Sequence, residues 1–403
     1  MSFAQRIAPP SAAGLRLAAR RLAVAGPVLV VALALALLIG SRLADYHGDP
    51  AGFILFGQRF VRYTHPPAAA PVLSRYGYDG QFYWIQAGDP LLLDRSTLAG
   101  LAGFPGYHLQ RPAYPALAWL VALGRRSALP WAMLAVNVLA VLGLTAALAV
   151  FCARRGRSVW WALAAGALPG VLMPALRDLT DPLATATLLC GLLAWRSQRR
   201  FAAAALLAVS VLSRETGAVA VAAIMIETVL GCVRARADGP RVRALLRRAW
   251  PPLLIPTAAY AAWQAYLRLV PPTVPGAPVP AAAAAVPTGT AGGLWRRVEP
   301  VVHLPTTILS GWELVVVLLA LAAMVTSAFL ARRCRAAGVA SLGLAATMLV
   351  APFVDQWALA RYTAPLFGVL LIAGLEQRSR AATAIAAAAG ATSLLLPWVI
   401  AGI

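Results

Sequence analysis

The sequence contains no lysine. All 35 of its basic residues are arginine, set against only 14 acids and four histidines in 403 residues. Charged residues make up 12% of the chain and hydrophobic residues 61%, whereas a soluble domain carries roughly 25% charged residues. That shortage excludes an ordinary soluble domain. A net charge of +21 on a soluble protein would point to nucleic acid. On so apolar a chain it marks loops held on the cytoplasmic side of a membrane, and no nucleic-acid partner is expected. The four cysteines (Cys152, Cys190, Cys232, Cys334) have no metal-ligand spacing, and three fall beside Arg-rich loops on the reducing side, so no disulfide is expected. The histidines are far apart, and no GxxxxGK[ST], HExxH or CxxC motif is present. A nucleotide-driven pump, a zinc hydrolase and a thiol enzyme are therefore unsupported.

What is present is a series of long apolar runs separated by arginine clusters. The clusters are Arg6 to Arg21, RRGR at 154–157, RSQRR at 196–200, Arg234 to Arg248, RRCR at 332–335, and Arg378 with Arg380. A bilayer core takes about 20 apolar residues per helix. With every cluster in the cytoplasm, the predicted spans are 26–44, 130–152, 159–176, 182–195, 201–214, 216–232, 250–269, 306–331, 337–354, 358–375 and 381–400. The first reads as a retained signal anchor. The fold class is thus all-α: one polytopic membrane helix bundle over 1–403, with about eleven transmembrane helices. A cytoplasmic N-terminus covers 1–25, a first external loop 45–129, and a second external loop 270–305. The segment 111–124 (RPAYPALAWLVALG) reads as an interfacial helix, with a short true span as the alternative. The second loop is rich in Pro, Ala and Gly over 270–293.

Almost every acid falls on the external side of this scheme: Asp45, Asp49, Asp79, Asp89, Asp94, Asp178, Asp181, Glu215, Glu299, Glu313 and Asp355. The positive-inside rule concerns Lys and Arg, so this partition is independent of it and places the chemistry outside. Asp79 sits in RYGYDGQFYWIQAGDP, where it is a candidate general base or the N-cap of a following helix. Gly77 and Gly80 would let backbone approach a ligand, and Tyr78, Phe82, Tyr83 and Trp84 offer flat faces for a sugar ring or prenyl chain. RDLTDP at 177–182 reads as a tight turn with Asp181 as N-cap, Pro182 in the first helical position, and Arg177 paired to Asp181 at i,i+4. LSRETG at 212–217 places Arg214 and Glu215 deep among apolar residues, where ionisable groups are expensive. Arg361 in DQWALARYTAP and Arg111 in LQRPAYP complete a set of arginines suited to clamping a phosphate. Together they point to an anionic, lipid-linked ligand.

At YDGQFYW the chain resembles the GT-C superfamily of polytopic glycosyltransferases. It resembles more closely a group of uncharacterised bacterial membrane proteins. These share YDGQFY in the first external loop, R-x-x-YP, R-D-L-T-[DE]-P, [ST]-R-E-T and R-x-x-x-P. Here the motifs are Tyr78 to Tyr83, Arg111 to Pro115, Arg177 to Pro182, Ser213 to Thr216, and Arg361 with Pro365, spread across about residues 45–370. The resemblance implies a bacterial inner-membrane enzyme with its site on the extracytoplasmic side. Its donor would be a polyprenyl-phosphate sugar, and its acceptor a hydroxyl of a glycan or lipid. Asp79 would be the catalytic base, with Arg111, Arg177, Asp181, Arg214, Glu215, Arg361, Tyr78, Gln81 and Tyr83 binding substrate. Many GT-C enzymes carry two acids in the first-loop motif, whereas Gly80 and Gln81 follow Asp79 here. A divalent cation is admitted, with no ligands specified. Two other classes fit the residues: a transporter or lipid flippase, and a non-catalytic membrane scaffold. No inverted repeat supports the transporter.

Overall fold

Leu168 precedes Pro169, and the proline ring bars its neighbour from helical backbone. In the computed structural model Leu168 accordingly takes an extended ψ of 131°. The apolar stretch expected to form one span over 159–176 is therefore broken into a 3-10 turn at Val159–Ala162, a short helix α6 (Leu163–Gly166) and α7 (Pro169–Ala175). The structure describes residues 12–58, 60–67, 70–73, 77–94, 97, 108–235, 238–269, 308–333, 335–350 and 356–395. The second external loop, Asp355 and Cys334 lie outside them.

The described residues are almost wholly helical. Ahead of α6, in chain order, come α1 (Ala12–Asp45), α2 (Val61–Thr64), α3 (Gly80–Gly88), α4 (Ala113–Val121) and α5 (Leu129–Arg154). After α7 come α8 (Asp181–Arg196), α9 (Arg200–Ser213), α10 (Gly217–Ala235) and α11 (Gly239–Leu269). The last four are α12 (Ile308–Ala331), α13 (Ala336–Val350), α14 (Gln356–Gln377) and α15 (Arg380–Ala391). The only sheet among the described residues is a two-residue parallel pair, β1 (Phe56–Gly57) with β2 (Val72–Leu73).

Four helices are long and apolar enough to cross a membrane: Leu22–Asp45, Arg126–Arg154, Gly217–Ala235 and Leu314–Ala331. Helix α4, inside the 111–124 segment, has nine residues, about 14 Å at the helical rise and too short for a hydrocarbon core of about 30 Å.

Two cores position the site. The larger joins α1, α5, α7, α8 and α14 through side chains such as Leu35, Leu148, Val171, Leu189 and Leu370. Gly170 lets α7 lie directly on α14, because a Cβ there would collide with the Ala360 carbonyl. That contact seats the first turn of α14, where Arg361 follows. The second core gathers the 45–129 region around Tyr83, Trp84, Tyr114 and Met133. It fixes α3 and α4 against α5, with Tyr83 and Tyr114 packed edge to face at 6.0 Å.

Candidate functional site

Asp79 occupies the N-cap position of α3, yet its side chain makes no capping bond. Instead its carboxylate turns to residues far along the chain. Oδ2 lies 3.4 Å from Arg361 Nη1 and 3.5 Å from Nη2, and Oδ1 lies 3.3 Å from His108 Nε2. Arg361 also donates through Nε to both oxygens of Asp181 at 3.2 Å, and its Nη2 lies 3.1 Å from Oδ2. Arg214 reaches the same Asp181 carboxylate, and its guanidinium stacks over the Tyr362 ring at 4.5 Å, a favourable cation–π arrangement. Beside them Arg111 clamps Glu215 bidentately, Nε to Oε1 at 3.1 Å and Nη2 to Oε2 at 3.0 Å. A third donor, Nη1, reaches the Tyr83 hydroxyl at 3.3 Å.

These side chains come from helix ends. Asp79 precedes α3, Arg111 precedes α4, Asp181 opens α8 where the helix dipole favours an acid, and Arg361 lies in the first turns of α14. Arg214 and Glu215 form the joint between α9 and α10, with Arg214 in extended backbone at φ −162°, ψ 141°. The cluster balances three guanidiniums against three carboxylates. Asp181 (1% exposed) and Arg214 (4%) form its floor, while Asp79 (26%) and Glu215 (31%) stand at an open rim. Burial alone would raise the pKa of the Asp79 carboxyl. The hydrogen bond and charge of His108, with the guanidiniums of Arg361 and Arg111, outweigh burial and hold the group well below the ordinary carboxylate range.

Several expectations are corrected. Asp181 lies one residue inside α8, with Thr180 as its N-cap, and its partners are Arg214 and Arg361 rather than Arg177. The reason is local: Asp178 has a φ of 49°, so the turn lacks the helical path that an i,i+4 pair requires. Arg177 sits in a separate cleft with Arg42 and Tyr46.

Gln81 is fully buried and accepts the Gly57 N–H at 3.1 Å, which ties the loop down instead of facing a ligand. Phe82, Tyr83 and Trp84 are buried in the second core, and Tyr83 serves the site only through its hydroxyl. Of the expected aromatic faces, only Tyr78 is partly exposed. Gly77, at φ +64°, and Gly80 admit close backbone approach, but to the protein itself. A Cβ at Gly77 would stand 2.4 Å from the Leu55 carbonyl, and one at Gly80 would stand 2.7 Å from that of Arg177.

His108 is the site residue that the sequence did not disclose. It is 3% exposed in its side chain, packs on Phe82 at 4.4 Å, and reaches Asp79 from the far end of the first loop. No motif marks it. Among the described residues no three His, Cys, Asp or Glu side chains gather as metal ligands. The position beside Asp79 that a cation would take is held by the Arg361 guanidinium, so the described residues do not fit a divalent metal.

Compared with family profiles, curated proteins and solved structures, the chain finds no match in any of the three.

Proposed function

We propose that this chain is a GT-C-type membrane glycosyltransferase that moves a sugar from a polyprenyl-phosphate donor to a hydroxyl acceptor on the extracytoplasmic side of a bacterial inner membrane. In this reading about eleven segments cross the bilayer, the broken 159–176 stretch among them, the N-terminus is cytoplasmic, and the Asp79 cluster faces outward. The observation that carries the reading is the turn of the Asp79 carboxylate away from its own helix. It meets Arg361, 282 residues on, in a cluster whose cations are suited to a phosphate.

The chemistry follows from the arrangement. The donor phosphate exchanges for Asp79 on Arg361 and is steadied by Arg214. Fixed cations at a water-poor site stabilise the charge that develops on the leaving phosphate. The acceptor hydroxyl attacks the anomeric carbon as the bond from that carbon to the phosphate oxygen breaks. The electron pair leaves on the polyprenyl phosphate, and the hydroxyl proton passes to Asp79. While Arg361 and His108 hold it, Asp79 is a weak base. Transfer of Arg361 to the donor removes one of those charges and raises its basicity, so donor binding arms the base. A single displacement inverts the anomeric configuration.

The test is mass-spectrometric profiling of lipid-linked sugars and envelope glycans in cells lacking the chain. The cells are complemented with wild type, Asp79→Asn or Arg361→Gln at matched expression. Restoration by wild type alone supports the reading; equal restoration by all three ends it.

A further inference from the structure

The Arg177 backbone lies close to the cluster: a Cβ at Gly80, next to Asp79, would stand 2.7 Å from its carbonyl. The three cluster arginines each hold a carboxylate. Half-buried Arg177 holds none among the described residues. It lines a narrow cleft with Arg42, Tyr46, Met173 and Leu176. Arg42 comes from the last turn of α1, and its one acid is Asp45, 3.3 Å away and 58% exposed. Burial lowers the Arg177 pKa, and the neighbouring Arg42 charge pushes it the same way.

Withdrawing a cation from water without a counter-ion is costly, and setting a second guanidinium beside it adds repulsion. A side chain that only snorkelled to water would move away from its like-charged neighbour. Among the described residues the only carboxylate paired to either arginine is the exposed Asp45 beside Arg42. The cleft's cavity volume of about 10 Å3 admits one water-sized group.

We propose that the cleft between Arg42 and Arg177 binds a phosphate group, with one phosphoryl oxygen between the guanidiniums and the remainder at the mouth. Two arginine forks and a tyrosine hydroxyl suit the tetrahedral oxygens of phosphate. The cleft lies at the end of an apolar helix, where a phospholipid headgroup or free inorganic phosphate could supply the group. The site is separate from the Asp79 cluster and does not depend on the transferase reading.

The full chain is purified and reconstituted in nanodiscs of phosphatidylcholine with or without phosphatidylglycerol, and retained lipid is counted by native mass spectrometry. In parallel, its melting temperature is followed against inorganic phosphate in detergent. Wild type is expected to retain one phosphatidylglycerol more than Arg177→Gln or Arg42→Gln, whose affinity falls about tenfold, while Arg361→Gln retains it normally. Protection by inorganic phosphate that Arg177→Gln abolishes would assign a soluble source to the same site. Should Arg177→Gln fail to fold, Arg42→Gln and the charge-retaining Arg177→Lys carry the comparison. Equal lipid retention and equal phosphate response in wild type and the Arg42 and Arg177 charge-removal variants would overturn the proposal.

Discussion

Helices α8 and α14 are ion-paired to each other at both ends, with the charges exchanged. At one end Asp181 of α8 meets Arg361 of α14. About four turns along both helices, Arg196 of α8 meets Glu376 of α14 at 2.6 Å. The two ends differ in how their acids are held. Glu376 is fully buried and is also approached by Arg155 at 3.6 Å. Its neighbour Glu227 takes the Trp195 indole N–H at 2.8 Å, Arg196 at 3.2 Å and the Ala336 N–H at 3.3 Å. These donors lock that end. At the other end Asp181 is just as buried between Arg214 and Arg361, but a second acid shares Arg361 there: Asp79 has no short bond, its contacts run from 3.3 to 3.5 Å, and it stands at an open rim. The difference separates an ionic clasp that holds helices together from one loose enough to exchange a partner.

Predictions that bear on this contrast run from large effects to small. Asp79→Asn should lower product formation by about 10²–10⁴-fold, the range for losing a general base, with a fall in melting temperature smaller than that at Glu376, since the depressed carboxyl contributes some stability at neutral pH; glycan profiling beside a thermal melt checks both. Glu376→Gln should do the reverse. Arg196 keeps Glu227 at 3.2 Å but loses the nearer of its two carboxylates, a loss of about 1.5–3 kcal/mol for a charged hydrogen bond, read as a lower melting temperature with activity per folded molecule retained. Equal stability losses at Asp79 and Glu376 would erase the contrast. Exchanging the locked pair, Arg196→Glu with Glu376→Arg, should recover part of the stability that either single change removes, measured as a coupling in a double-mutant cycle.

A smaller effect is expected at Asp178. Burial raises its pKa well above the ordinary value, opposed only by its bond to the Tyr114 hydroxyl at 3.3 Å. With the folded pKa raised, the stabilising contribution is complete below the unfolded value near 3.9 and is lost as pH rises through the folded value. Asp178→Asn mimics the neutral acid, so wild type should fall behind this variant as pH increases, seen in melts across pH 4 to about 9.

The helical character of the bundle was legible because apolar runs of bilayer length are a strong signal. Four helices meet that standard outright, while the break at Leu168 comes from the following Pro169, which an apolar-run criterion does not register. The acids and arginines of the cluster were legible individually, since ionisable groups are conspicuous in an apolar chain. Their pairing was not. Arg177 and Asp181 have helical spacing but lack helical backbone between them, because Asp178 takes a left-handed φ. The aromatics after Asp79 were misread for a related reason. A nine-residue helix buried on nearly all sides has no periodicity to reveal which faces are covered. His108 reaches Asp79 only through tertiary folding of the first loop, and local sequence carries no trace of that.

Whether Asp79 and Arg361 act as one unit is tested most directly by a double-mutant cycle on product formation. Asp79→Asn, Arg361→Gln and the double variant are compared at matched folded protein. Concerted action predicts that the double variant is no worse than the more damaged single variant. Independent losses that multiply would contradict it.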